Sequence, residues 1–532
     1  MGNPRIAIVG MGGLYPGAAS PAELFSLVLS ARDALREPPS GRWTLPLEAA
    51  YQPGGPYPDR VNSRRAGFLE PFDVDATGLQ LEPDLLNALD PLFRLAVRIG
   101  AEAWRGAVTA PLDRTRVGVI LGSIALPTET TSALTRAHLT GEPRPHPLNR
   151  QVTGLPAALI ARALGLGGGT LTLDAACASS LYAIKLAVDE LTSGRADAMI
   201  AGGLSRPDSL YTQMGFTQLR AVSPRGICSP FDPAADGLVV GEGGGAFILK
   251  RLDDALRHGD RIWGVIAGIG LSNDREGGLL APASEGQLRA MHAAYAQAGW
   301  SPQSVGLIEC HATGTPVGDA VELESLKRLW TNAPTGTRAV LGSVKSSIGH
   351  LLTGAGAAAL TKVLFALNEG ILPPTANHHT PTPTLSASPF HVLTQPATWS
   401  GERRAAISAF GFGGINAHLL VEPYRPESKV PPQNGVGSLS THPRVAVVAY
   451  AVREHHGDAV EVPAGAFRIP PREIEEMLPQ QALLLLAARD AAMQADLTPQ
   501  SGAWIGVSLD LNTTNFHARW AFPEQADMLV PP

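Results

Sequence analysis

The chain has 532 residues, and at roughly 150 residues per domain that length argues for three or four folding units. Its 42 Lys and Arg against 48 Asp and Glu leave a formal charge of −6, the wrong sign for a nucleic-acid binder, which normally shows a basic excess. The 57 glycines and 45 prolines stay below low-complexity levels, and 44% hydrophobic residues suffice for a large globular core.

The first predicted element is a short strand, RIAIVG (5–10), β-branched and ending in glycine. The N-terminal MGNPRIAIVG holds no apolar signal-peptide core, and Ile6 stands where a myristoylation signal needs Ser or Thr. GMGGLYPG follows, but Tyr15 occupies the place of the third glycine of a dinucleotide fingerprint, so a tight strand-to-loop turn is expected. From about 100 to 422, strand-like runs alternate with helical ones. Residues 117–121, 171–173, 198–201, 245–249, 305–308 and 339–341 read as buried strands, with helices such as 180–193 and 285–298 between them. That alternation points to parallel sheets covered by helices, an α/β fold. The apolar stretch 351–367 is broken by Gly and Lys362 and falls short of a membrane span. A cytoplasmic protein is expected.

Residues 424–443, YRPESKVPPQNGVGSLSTHP, lack apolar periodicity and read as a linker. Beyond it, RVAVV (444–448) echoes RIAIV (5–9), and 470–492 resembles 82–103. Pro83 pairs with Pro471, Pro91 with Pro479 and Gly118 with Gly506, each 388 residues apart. One register across these anchors makes 444–532 the incomplete start of a second copy of the first domain. The counterpart of position 177 would fall beyond residue 532, so the chain is expected to be a fragment or a truncated gene product.

Only Cys177, Cys228 and Cys310 occur. They form neither a disulfide framework nor a CxxC zinc pair, and a reducing compartment follows. In LTLDAACASSL (171–181) a strand runs into small residues around Cys177 and then into a helix with Leu181, Ile184, Val188 and Leu191 at helical spacing. Small neighbours suit a sharp strand-to-helix elbow. Such an elbow sets the thiol at a helix N-terminus, where the macrodipole lowers its pKa. A buried structural cysteine is the other reading of this segment.

Cys310 and His311 are adjacent on a strand and project to opposite faces, which makes Cys310 core. Cys228, in a Pro-rich loop, reads as inert. His311 opens HATGTPVGDAVELESL: a strand end, a Gly/Thr loop and a helix. His350 closes GSVKSSIGH, ahead of a Gly/Ala-lined helix whose expected C-cap is Gly370. AISAFGFGGINAH (406–418) reads as a glycine-rich turn with backbone N–H groups free to face an oxyanion. His378, His379, His455 and His456 read as loop residues.

The motifs DAACASS, HATGTPVGDAVE, GSVKSSIGH and AFGFGGINAH, in that order over about residues 4–422, resemble the β-ketoacyl synthases, the condensing enzymes of fatty acid and polyketide assembly. Ala312 departs from the pattern, since many members have glycine there. The resemblance implies a thiolase-type fold of two related halves in stacked α-β-α-β-α layers. Residues 1–260 would carry the nucleophile elbow and 261–423 the two catalytic histidines. Cys177 would take an acyl chain, and His311 and His350 would stabilise the enolate formed by decarboxylation of a malonyl thioester. Backbone N–H groups of Cys177 and Phe412 would form the oxyanion hole. By the same pattern Lys345 with Glu322 organises the site, a solvated surface pair being the alternative. Thr313 and Thr315 would hold a pantetheine arm and Phe412 would gate access.

No bound cofactor or metal is implied; substrates ride on the phosphopantetheine of an acyl carrier protein. A homodimer or a ketosynthase/chain-length-factor pairing is expected. ASSLYAIKLAVDEL and VKSSIGHLLTGAG are most similar to the ketosynthases of polyunsaturated fatty acid synthases, with polyketide synthases close behind. Three other readings compete. A decarboxylase or chain-length-factor-like partner would lack the cysteine. A Cys–His hydrolase would want one His with an Asp or Asn orienter. A degradative thiolase would need a second catalytic cysteine.

Overall fold

In the computed structural model the first strand, β1 (Ile6–Leu14), does not turn after Gly10 but runs on through the glycines. The reason is packing. A Cβ at Gly10 would lie 2.3 Å from the Ala103 carbonyl oxygen, and one at Gly12 2.3 Å from that of Ile99. Both carbonyls belong to helix α1 (Pro91–Arg105). The glycines therefore let a helix backbone approach a strand, and the chain turns only at Gly17, where φ is +68°.

The structure describes residues 4–150, 154–275, 281–331, 333–334, 336–425, 446–454, 460–463, 465–467, 469, 471–475 and 477–498. Among them the chain forms two compact units, one within Met1–Arg425 and one within Pro426–Asn512. Most of the linker 424–443, the first two residues of RVAVV, Gly506, His455 and His456 lie outside the described residues.

In the first unit, β1 joins β2 (Val117–Ser123), β3 (Thr170–Leu173), β4 (Ala198–Ser205), β5 (Gly243–Arg251) and β6 (Gly264–Asn273). Five more strands of the same sheet follow: β7 (Leu307–Glu309), β8 (Ala339–Gly342), β9 (Phe390–Val392), β10 (Ala405–Gly411) and β11 (Ile415–Glu422). All lie in one mixed sheet, in the order β9-β8-β7-β10-β11-β6-β1-β5-β4-β2-β3. Strand β1 is antiparallel to β5, β5 antiparallel to β4, and β4 and β3 both parallel to β2. Starting from β6, the same senses recur: β6 antiparallel to β11, β11 to β10, and β10 and β8 both parallel to β7. These are two related halves, meeting where β1 pairs with β6 over Ile6–Ile8.

The helices complete the layers. α1 and α2 (Leu155–Leu164) cover the outer face of the first half, and α3 (Ser179–Thr192) packs on its inner face against β2 and β4. α4 (Ser284–Ala298) and α5 (Pro316–Leu329) cover the outer face of the second half. α6 (Ala355–Glu369) lies beside α3 and touches both β4 and β10, which makes α3 and α6 the central layer. The order is α-β-α-β-α. On α3 the stripe Leu181, Ile184, Val188 and Leu191 is buried, each side chain contributing about 1.5–3 kcal/mol. Gly370 caps α6 with φ +68°.

In this sheet β6, β9, β10 and β11 escape a periodicity reading. Residues 264–273 form β6, and 406–418 are not one turn but most of β10 and the first half of β11, joined through Phe412, Gly413 and Gly414. Gly413 and Gly414 have φ of +81° and +72°, which makes the hairpin tight.

In the second unit, helices Pro471–Glu475 and Pro479–Gln494 begin at prolines. So do helices Pro83–Ala88 and Pro91–Arg105 of the first unit. Among the described residues no helix is long and apolar enough to cross a membrane.

Candidate active site

The elbow between β3 and α3 is built by local hydrogen bonds. Asp174 accepts the backbone N–H of Ala176 at 2.9 Å and of Ala125 at 2.8 Å. Ser179 Oγ accepts from Ala175 N at 2.8 Å and donates to Ala176 O at 2.6 Å. Ala176 is held at φ +49°, a left-handed conformation that costs a β-carbon residue on the order of 1–2 kcal/mol. Ser180 Oγ donates to the Thr353 carbonyl, tying the start of α3 to the turn before α6. Small residues are needed on both sides: a Cβ at Gly122 would lie 2.6 Å from Ser179 Cβ, and one at Gly411 2.9 Å from Ala176 Cβ.

The elbow sets Cys177, only 8% exposed, at the floor of a cavity of about 410 Å³. Cys177 Sγ lies 3.1 Å from His350 Nε2. The His311 ring stands edge-on to His350, centroids 5.3 Å apart and planes at 84°. One nitrogen of each ring and the sulfur all fall within 4.8 Å of one another. Backbone N–H groups of Phe412 and Cys177 act to favour the thiolate form of the sulfur. Thr313, Thr315 and Phe412 line the same cavity, and the Thr313 and Thr315 hydroxyls are 3.0 Å apart. Phe412 is 36% exposed, with its ring 6.0 Å from that of Phe216.

Lys345 and Glu322 sit behind this front row, both buried. Among the described residues they form no ion pair. Lys345 Nζ donates to the Cys310 carbonyl at 3.3 Å. The Glu322 carboxylate accepts the backbone N–H of His311 at 2.8 Å and of Ala312 at 2.7 Å. The alternative of a solvated Lys345–Glu322 surface pair does not hold, since both side chains are buried; each instead hydrogen-bonds to the strand end that carries His311. Burial lifts the Glu322 carboxyl to about 6, opposed by the two N–H donors and Lys345.

Electrostatics also correct the expected thiol. Burial pushes Cys177 up to about 12, outweighing the nearby Lys345 cation and the two N–H donors. At neutral pH the sulfur rests protonated. Both imidazoles are driven well below their ordinary value, first by burial and then by the Lys345 charge, so both are neutral.

The remaining cysteines are buried. Cys310 lies in the apolar core of the second half, and Cys228 Sγ donates to the Thr313 carbonyl at 3.2 Å, propping the loop between the two threonines. His379 is an exposed loop residue, whereas His378 is buried, with Nδ1 3.0 Å from the Pro230 carbonyl.

Three supporting residues escape sequence reasoning. Asp319 accepts the N–H of Phe231 at 3.0 Å and of Gly314 at 3.2 Å, and burial raises it to about 7. Its only signal in the sequence is an acid in the first turn of α5. Glu309 and Lys362 form a fully buried ion pair at 2.6 Å, and Glu309 also accepts the Val344 N–H at 2.6 Å. A single lysine in the middle of a largely apolar helix is the available clue.

The model of the β-ketoacyl synthase N-terminal domain matches residues 3–255 and again 438–527. The C-terminal domain model matches 263–379, and that of the ketoacyl-synthetase C-terminal extension 380–461. Polyketide synthase PksL of Bacillus subtilis (strain 168) is 34% identical over 436 residues, 80% of this chain but 9% of that protein. A phenolphthiocerol/phthiocerol polyketide synthase subunit of Mycobacterium tuberculosis (strain ATCC 25618 / H37Rv) is 33% identical over 474 residues, 86% of this chain and 30% of that one. The chain thus spans well under half the length of these curated relatives. Among solved structures, the PfaC Keto synthase-Chain length factor superposes with a TM-score of 0.75 at 35% identity, over 84% of this chain and 50% of its own. The ketosynthase from module 6 of the bacillaene synthase of Bacillus subtilis 168 gives 0.68 at 32% identity, over 79% of this chain and 72% of its own.

Proposed function

The chain belongs to the β-ketoacyl synthase family, and from that premise we propose that its first unit is a condensing acyltransferase of polyketide-type assembly. One observation carries the reading: a buried thiol 3.1 Å from one neutral imidazole, with a second imidazole edge-on to the first, at the floor of an open cavity.

In the first half-reaction Cys177 attacks the thioester of an acyl group borne on a carrier phosphopantetheine. The new bond is Cys177 Sγ to acyl carbon, and the carrier sulfur leaves. The thiol proton ends on that sulfur. The backbone N–H groups of Cys177 and Phe412 stabilise the tetrahedral oxyanion. In the second half-reaction a malonyl-carrier thioester replaces the spent carrier and loses CO₂. His311 and His350 donate hydrogen bonds to the enolate oxygen; the enolate carbon bonds to the acyl carbon, the acyl–sulfur bond breaks to release the β-ketoacyl product, and the Cys177 sulfur leaves as thiolate and takes up a proton from solvent. A neutral imidazole donates without surrendering its proton, which fits the depressed histidines. Lys345 and Glu322 position the His311 strand end, Thr313 and Thr315 receive the pantetheine arm, and Phe412 gates it.

Carrier protein, acyl chain and pathway belong to this proposal, as do the domain limits, a subunit pairing and a cytoplasmic setting. So does a second ketosynthase-like domain beginning after the linker. Its support is the second match to the N-terminal family model and the paired proline-initiated helices 388 residues apart. Polyunsaturated fatty acid synthesis is a narrower version that rests on sequence resemblance.

Intact-protein mass spectrometry with a panel of acyl-carrier thioesters tests the reading. The wild-type chain should gain one acyl mass, and Cys177→Ala none. An adduct that persists in the variant removes the nucleophile assignment.

A further inference from the structure

The three groups at the cavity floor have a second chemical character. A thiol and two neutral imidazoles are a donor set for thiophilic d-block ions, whose closed structural sites use the same ligands. A tetrahedral zinc ion bonded to sulfur at about 2.3 Å and to nitrogen at about 2.0–2.1 Å holds those donors roughly 3.3–3.6 Å apart. Here Cys177 Sγ and His350 Nε2 are 3.1 Å apart, and the third donor, from His311, is within 4.8 Å of both. Convergence needs a shift of about an ångström, within the reach of side-chain rotation. All three residues line the cavity, which gives the ion an entry path and room for a fourth ligand.

We propose that Cys177, His311 and His350 form a zinc-class metal site, and that occupation of it switches the condensing site off. The site needs no resident metal for its own chemistry; the ion competes for the same atoms. Binding breaks the Cys177 S–H bond, forms a sulfur–metal bond and releases one proton to solvent, with no change of oxidation state. Acylation and metal binding are therefore mutually exclusive, since both consume the sulfur lone pair. Lys345 opposes a dication electrostatically, so selectivity must come from the soft sulfur ligand. Magnesium and calcium, which prefer oxygen donors, are excluded. The blocking effect rests on the proposed nucleophile role, whereas the metal site stands on geometry alone.

The probe is cobalt(II), titrated into the full chain under reducing, chelator-free conditions. A thiolate-to-cobalt charge-transfer band should grow and saturate at one equivalent, be displaced by zinc(II), and be unaffected by excess magnesium. Cys177→Ala should lose the band although Cys228 and Cys310 remain, and prior alkylation of Cys177 should block it. His311→Ala should lose the saturable phase, near-ultraviolet circular dichroism verifying that the fold is kept. A band that survives Cys177→Ala, or no saturable band in the wild-type chain, overturns the proposal. A cobalt band at Cys177 with no acyl adduct in the thioester assay would instead sink the condensing-enzyme reading and leave the metal site standing.

Discussion

The 3.1 Å contact between Cys177 Sγ and His350 Nε2 joins the two halves of the fold. Cys177 stands on the elbow between β3 and α3, and His350 on the loop that leads into α6. Neither half holds the pair alone. Because α3 and α6 are neighbours in the central layer, their N-terminal approaches converge, and the site inherits its precision from that packing.

The charge state of this pair makes a pH prediction. Burial holds the Cys177 thiol at about 12, so the reactive thiolate is a small fraction at neutral pH and grows as pH rises toward that value. Alkylation by iodoacetamide, followed as mass gain on Cys177, should climb about tenfold per pH unit from 7 to 9. A plateau below pH 8 would mean that Lys345 and the helix N-terminus outweigh burial.

Separating the two half-reactions isolates His350. In the proposed mechanism, transfer of an acyl group to sulfur rests on the oxyanion donors of Cys177 and Phe412, whereas decarboxylation needs a donor at the enolate oxygen. His350→Ala should retain most acyl-adduct formation but slow CO₂ release from a malonyl thioester by roughly 10²–10³, the usual effect of removing one oxyanion donor. Unchanged CO₂ release would exclude His350 from that step.

A steric prediction falls on Gly411. A Cβ there would meet Ala176 Cβ at 2.9 Å and Cys177 N at 3.1 Å, which would wedge the β10–β11 hairpin away from the elbow. The Phe412 N–H would move with it. Gly411→Ala should fold normally and lose about tenfold or more in acylation rate, since displacements well under an ångström are enough to spoil such geometry. Acylation at the wild-type rate would show that the hairpin absorbs the methyl group without moving the donor.

The legible parts of the sequence were those with a local cause. Small residues around Cys177 announce a sharp elbow because nothing larger fits it, and His311 and His350 each end a strand-to-loop transition. What stayed hidden depends on partners distant in sequence. Gly10 and Gly12 look like a turn until α1 is seen lying against them. Interspersed glycines dilute the apolar signal of β6, which is nonetheless paired on both edges. The thiol illustrates the difference: the helix N-terminus is visible in sequence, but the desolvation that raises the thiol is a property of the whole assembled cavity. Lys345 and Glu322 were recognised by motif, yet their actual partners are backbone groups.

Glu309 and Lys362 form a buried pair, joined at 2.6 Å with both side chains fully enclosed. Glu309 lies two residues before His311, and its other oxygen holds the Val344 N–H at 2.6 Å, next to Lys345. The pair thus couples the strand ends that carry two of the site's cations and donors. Lys362→Met strands a carboxylate in the core and should cost about 3–5 kcal/mol, read as a lowered unfolding midpoint. Glu309→Gln with Lys362→Met removes both charges and should restore most of that stability, as replaced buried pairs often do. If the pair also positions the site, the stable double variant should still decarboxylate malonyl thioester about tenfold or more slowly, because a loosened Val344 shifts Lys345 and His350 together. A double variant that is as stable and as fast as the wild-type chain would reduce Glu309 and Lys362 to core packing alone.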